Sequence, residues 1–104
     1  MVHSVGPDEA HDLLAERHFD LVDVRDSSEW ASGHLPGARH VPLARLREHT
    51  RAELPRDGVI FVCAAGMRSE TAARLALAEG FSQVYSLSGG TRGWLRAGLP
   101  LVKD

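Results

Sequence analysis

Val59-Ile60-Phe61-Val62-Cys63-Ala64-Ala65-Gly66-Met67-Arg68-Ser69 begins as an unbroken apolar run, passes through a loop of small residues and ends where a helical pattern starts. Such a run suits a strand buried on both faces, as in a parallel sheet covered by helices. From Ser69 to about Glu79 the chain offers a capping residue, then the acidic Glu70, then Ala72, Ala73, Leu75, Ala76 and Leu77, which predicts a helix over that span. In a sheet of this kind ligands bind beyond the carboxyl ends of the strands. Cys63, the only cysteine, stands at that end.

The pattern repeats outward. Val2–Val5, Leu21–Val24, Ala38–Val41 and Val84–Leu87 read as four further short strands, the first an edge strand and the third following the Pro36-Gly37 turn. A helix is expected from Gly6-Pro7-Asp8-Glu9 through Ala10, Leu13 and Leu14, with Pro7 suited to its first turn, and a helical turn over Ser27–Ala31. The expected architecture is therefore α/β: one domain over residues 1–104, with a central, mainly parallel sheet of about five strands and helices on both faces. A chain of this length should bury about 60–65% of its unfolded surface, enough to fold alone, and a monomer is expected. No linker, repeat or low-complexity stretch interrupts it.

The balance of 12 basic and 14 acidic residues gives a net charge of −2, which points to neither a nucleic-acid nor a membrane partner. No apolar run approaches the roughly 20 residues that span a bilayer. Met1-Val2-His3-Ser4 lacks the charged and apolar regions of a signal peptide. A single thiol excludes an internal disulfide and fits a reducing compartment, so the cytoplasm is the expected location. The six histidines show no close ligand spacing with cysteine or a carboxylate cluster, and neither a metal nor a cofactor is expected.

Cys63 faces the amino end of the helix that follows, where unpaired amides act as roughly half a positive charge. A loop wrapped around the sulfur adds donors, so the thiolate is favoured. An ordinary cysteine of pKa about 8.5 is only a few per cent ionised at pH 7, and lowering that value by about two, or about 2.7 kcal/mol, makes it mostly thiolate. Gly66 is suited to a positive φ or to letting amides converge on one point. Arg68 can bind two oxygens of a sulfonate or phosphate, or can brace the loop against a carboxylate such as Asp23. The alternative is an inert buried thiol at a strand end, since free cysteine packs as a small hydrophobe.

The chain resembles a single rhodanese homology domain, a sulfurtransferase. The resemblance rests on Asp23-Val24-Arg25, Glu29-Trp30, Gly33-His34-Leu35-Pro36-Gly37-Ala38, Val41-Pro42, the loop Cys63–Ser69, Leu87-Ser88-Gly89-Gly90 and Trp94, in that order. It implies that Cys63 takes a sulfane sulfur from thiosulfate or a related persulfide donor, holds it as a persulfide, and passes it to cyanide or a thiol. The loop residues Ala64, Ala65, Gly66, Met67 and Arg68 would form the substrate-binding cradle. Asp23, Arg25 and Ser69 would support them, Asp23 by holding loop amides or Arg68 and Arg25 by pairing with Glu29.

Four residues separate Cys63 from Arg68. Cysteine phosphatases on the same fold carry a longer loop, and the smaller ring suits one sulfur atom better than a tetrahedral phosphate. Because Ala64, Ala65 and Met67 are uncharged, a less charged donor such as a glutathione persulfide or a partner protein's persulfide could serve better than thiosulfate. Two other classes remain: a module relaying sulfur between proteins, and a non-catalytic interaction or redox-sensing domain. The arginines between Arg39 and Arg56 could form a docking patch for an acidic partner, but Glu48, Glu53 and Asp57 are interspersed with them, which favours a solvated face. Trp30 and Trp94 are expected to anchor core or turns, His34 to stabilise the turn before Pro36, and Gly89-Gly90 to form a tight turn.

Overall fold

The computed structural model describes residues 2–16 and 19–103; His18, one of the six histidines, lies outside them. Five strands, β1 (His3–Val5), β2 (Asp20–Asp23), β3 (Arg39–His40), β4 (Val59–Val62) and β5 (Val84–Leu87), form one sheet in the order β1-β5-β4-β2-β3. Every pairing is parallel, where the sequence predicts a mainly parallel sheet. Among the described residues six helices connect and cover the strands: α1 (Pro7–Ala15), α2 (Ser27–Ala31), α3 (Leu43–Glu48), α4 (Thr50–Glu53), α5 (Met67–Ala78) and α6 (Gly90–Arg96).

The two-residue period of β4 divides the core. Val59, Phe61 and Cys63 pack with Leu46 and with Ala72, Ala73 and Ala76 of α5 on one face. Ile60 and Val62 pack with Ala10 of α1, Leu87 and Trp94 of α6 on the other. All four β4 residues are fully buried, which accounts for the absence of polar residues in the run. Alanines on the inner face of α5 let that helix lie close to the sheet, fixing its amino end beside the end of β4. Burying a side chain the size of Phe61 contributes about 1.5–3 kcal/mol. Among the described residues no helix is long and apolar enough to cross a membrane.

Some boundaries differ from the sequence reading. The third strand, expected over Ala38–Val41, is only Arg39–His40, because β2 offers β3 a register of two residue pairs. The helix expected to open at Ser69 opens two residues earlier: Gly66, at φ 115°, is its N-cap, and Ser69 is already inside the first turn. Helices α3 and α4 had no expected counterpart. Their apolar contact is only Leu43 and Leu46 in an arginine-rich stretch, so the charges of a solvated face mask the helical period. Arg39 pairs with Asp20 and Arg45 with Glu53 along that face.

Candidate active site

Cys63 follows β4 directly and is almost wholly enclosed. The Gly66 amide donates to its sulfur at 3.1 Å and the Ser69 amide at 3.4 Å. The Ser69 hydroxyl lies 3.6 Å from Sγ, 3.0 Å from the Gly66 carbonyl and 2.7 Å from the Ser86 hydroxyl on β5. With a thiol, Sγ–H donates to Ser69 Oγ, whose own proton goes to Gly66. With a thiolate, the Ser69 hydroxyl turns to the sulfur while Ser86 donates to Ser69, so each oxygen stays satisfied in both states.

Burial pushes the Cys63 thiol up, but the Ser69 hydroxyl and the amides of Ser69, Gly66 and Ala65 together outweigh it and hold its pKa below the ordinary cysteine value. The macrodipole of the twelve-residue α5, pointing its amino end at the loop, acts in the same sense. Alkylation by iodoacetamide should therefore rise with pH and reach its plateau below the pH at which a free cysteine does. Ser69→Ala should move that midpoint upward, measured as rate against pH; an unmoved midpoint would remove the hydroxyl from the ionisation.

The sequence-predicted residues do not all fall where expected. Amides of Gly66 and Ser69 donate to the sulfur, in place of a continuous ring from Ala64 to Arg68. Ser69, expected as outer support, touches the sulfur with two groups. Met67 projects outward and is 83% exposed. Arg68 does not pair with Asp23: its guanidinium grips Glu29 with two bonds, at 2.7 and 2.9 Å. Arg68, not Arg25, is thus the partner of Glu29, and the Arg68 bond holds the Glu29 carboxyl down to about 2. Glu29 also closes the capping box of α2 with Asp26, so one carboxylate ties α2 to the first turn of α5.

Asp23 and Arg25 form a separate buried unit. Asp23 is inaccessible to solvent and receives the Arg25 amide at 2.9 Å and its guanidinium at 2.8–3.0 Å. Arg25 also donates to the Gly33 carbonyl at 2.7 Å, and its own carbonyl bonds the His40 ring at 2.8 Å. The pair shapes the neighbouring rim. Trp30 lies flat between structural contacts, its ring 3.6 Å from that of His34 and 4.9 Å from that of His40, and Trp94 donates to the Pro100 carbonyl.

Gly89 and Gly90 do more than turn the chain. Both have positive φ, and an added Cβ on Gly90 would sit 2.2 Å from the Cys63 carbonyl oxygen. The closeness lets Thr91 donate to the Cys63 carbonyl at 2.8 Å and Arg92 to the Ala64 carbonyl at 3.2 Å. The sequence signal of this clamp is the glycine pair that follows an apolar strand, beyond the tight turn expected there. Ser86, a small polar residue between apolar neighbours on a mostly buried strand, is a comparable signal. Among the described residues no group of three or more His, Cys, Asp or Glu side chains gathers as a metal site would require.

The Rhodanese-like domain family matches residues 6–97. The chain belongs to the rhodanese family. A relative from Pseudomonas fluorescens, thiosulfate sulfurtransferase GlpE, is 39% identical over 88 residues, covering 85% of this chain and 81% of the relative. The putative sulfur carrier protein YrkF of Bacillus subtilis is 31% identical over 80 residues, covering 77% of this chain and 43% of the relative. The crystal structure of a rhodanese-related protein from Thermoplasma volcanium superposes with a TM-score of 0.87 at 25% identity, covering 98% of this chain and 99% of that one. The rhodanese fold of those proteins is the fold of this one.

Proposed function

We propose that the protein is a sulfurtransferase that carries sulfane sulfur on Cys63. The observation that supports this most is the set of donors on one enclosed sulfur, Gly66 N–H at 3.1 Å and Ser69 N–H at 3.4 Å with the Ser69 hydroxyl beside them. Such a site favours an anion at Sγ. The thiolate attacks the outer sulfur of thiosulfate; a new S–S bond forms to Cys63, the S–S bond of the donor breaks, and sulfite leaves with the electron pair. The persulfide then gives its outer sulfur to cyanide or a thiol, and the cysteine thiolate returns.

Thiosulfate is supported as donor by the names of relatives such as GlpE. In this scheme the Arg68–Glu29 pair acts as a brace that fixes the first turn of α5, and hence the Ser69 amide, against the sulfur. A second reading, transfer to or from another protein, is favoured by Met67, 83% exposed beside the loop, and by the likeness to a protein named as a putative sulfur carrier.

Mass spectrometry after incubation with thiosulfate tests the reading. The peptide containing Cys63 should gain one sulfur, about 32 Da, and lose it again when cyanide is added. A wild-type peptide of unchanged mass would overturn the thiosulfate reading. Rapid labelling by a protein persulfide under the same conditions would favour the relay.

A further inference from the structure

The loop around Cys63 has no charge of its own at positions 64, 65 or 67, and the cation that closes it, Arg68, is neutralised by two bonds to Glu29. An anionic donor approaching the sulfur therefore meets little net positive charge from the loop itself. Arg25, Arg39, Arg45, Arg51 and Arg74 are likewise paired with carboxylates. Arg92 is different. Its amide is bonded to Ala64 of the loop, its neighbour Thr91 is bonded to Cys63, and its side chain is exposed. Among the described residues no carboxylate pairs with it.

We propose that Arg92 is a specificity-determining residue of the sulfur-transfer site, supplying the field that draws small anionic donors of the thiosulfate class to Cys63. The inference rests on the sulfur-transfer reading and adds the donor's charge class to it. Gly90 makes the arrangement fixed: with no side chain it lies against the Cys63 and Ala64 carbonyls, so the residues that follow are carried by the loop rather than by a free helix end. A guanidinium on that mount can meet two oxygens at once. It acts on a donor that is a dianion more than on a neutral one.

Two alkylating reagents of nearly equal size read this field without any sulfur transfer: iodoacetate, an anion, and iodoacetamide, which is neutral. In both cases the Cys63 thiolate forms an S–C bond and iodide leaves, so the ratio of the two rates cancels differences in thiolate content. At an ionic strength of about 0.01 M, where the Debye length is about 30 Å, Arg92→Ala should lower the iodoacetate-to-iodoacetamide ratio about fivefold. Arg92→Lys should keep it within about twofold of wild type, and Arg56→Ala, at the opposite end of the sheet, should leave it unchanged. At about 1 M the difference should vanish, because the Debye length falls to about 3 Å. With thiosulfate as substrate, Arg92→Ala should raise KM about fivefold with kcat retained.

An equal ratio in Arg92→Ala and wild type at low salt overturns the proposal. So does an equal loss of rate with both reagents, which would mean that the substitution disturbs the loop instead of its field. Failure of wild type to take sulfur from thiosulfate would overturn the sulfur-transfer reading, and the reagent ratio would still decide on Arg92.

Discussion

Gly90→Ala is expected to reduce sulfur transfer by about a hundredfold or more, because a misplacement of about 1 Å at a reacting centre costs that much, and to lower stability as well. The new methyl group would lie 2.2 Å from the Cys63 oxygen and 2.5 Å from the Ala64 carbonyl carbon and oxygen. All are backbone atoms, so no side chain can swing aside. The loop must move, and the bonds from Thr91 and Arg92 to those carbonyls, at 2.8 and 3.2 Å, lengthen with it. The left-handed conformation at φ +57° adds about 1–2 kcal/mol for a residue with a Cβ, and forced crowding about 1–3 kcal/mol. For a domain of this size the sum should lower Tm by about 10 °C or more.

Gly37→Ala isolates the two contributions. Gly37 also has a positive φ, +82°, but nothing lies within 4 Å of where its Cβ would be. It should show the conformational cost alone, about 1–2 kcal/mol in urea melts, with persulfide formation intact. If Gly90→Ala lost no more stability than Gly37→Ala and kept its persulfide yield, the clamp would not be what positions the loop.

The same contrast explains what was legible in the sequence. Local signals gave the strands Val59–Val62 and Val84–Leu87 and the turn Ser27–Ala31 with their observed bounds, because each is an apolar run or a capped turn complete within a few residues. Cys63 at the end of β4 was legible for the same reason. What escaped were pairings between segments distant in the chain. Arg68 and Asp23 carry the right charges to pair, but Glu29 faces Arg68 and Arg25 faces Asp23. Charge type cannot say which of two carboxylates the fold delivers. Ser69 was misread because a serine before an acidic residue looks like a cap, whereas the positive φ of Gly66 opens the helix earlier and turns Ser69 inward to the sulfur.

Asp23→Ala is expected to destabilise the protein by about 3–5 kcal/mol, the cost of stranding one member of a buried ion pair. The Arg25 and Asp23 side chains are 5% and 0% exposed, and removing the carboxylate leaves the guanidinium with the Gly33 carbonyl, 2.7 Å from its Nη2. A domain held together by about 5–15 kcal/mol loses about a fifth or more of its margin in that change. Attraction between the two charges is a poor measure of the pair's worth, since both were taken out of water to make it. Replacing both partners, as Asp23→Leu with Arg25→Met, removes the stranded charge and should recover most of the loss in urea melts. Recovery in the double variant would place the penalty in the unpaired guanidinium. If the double variant were as unstable as Asp23→Ala, the pair would instead be contributing through its hold on Gly33 and the rim of the site.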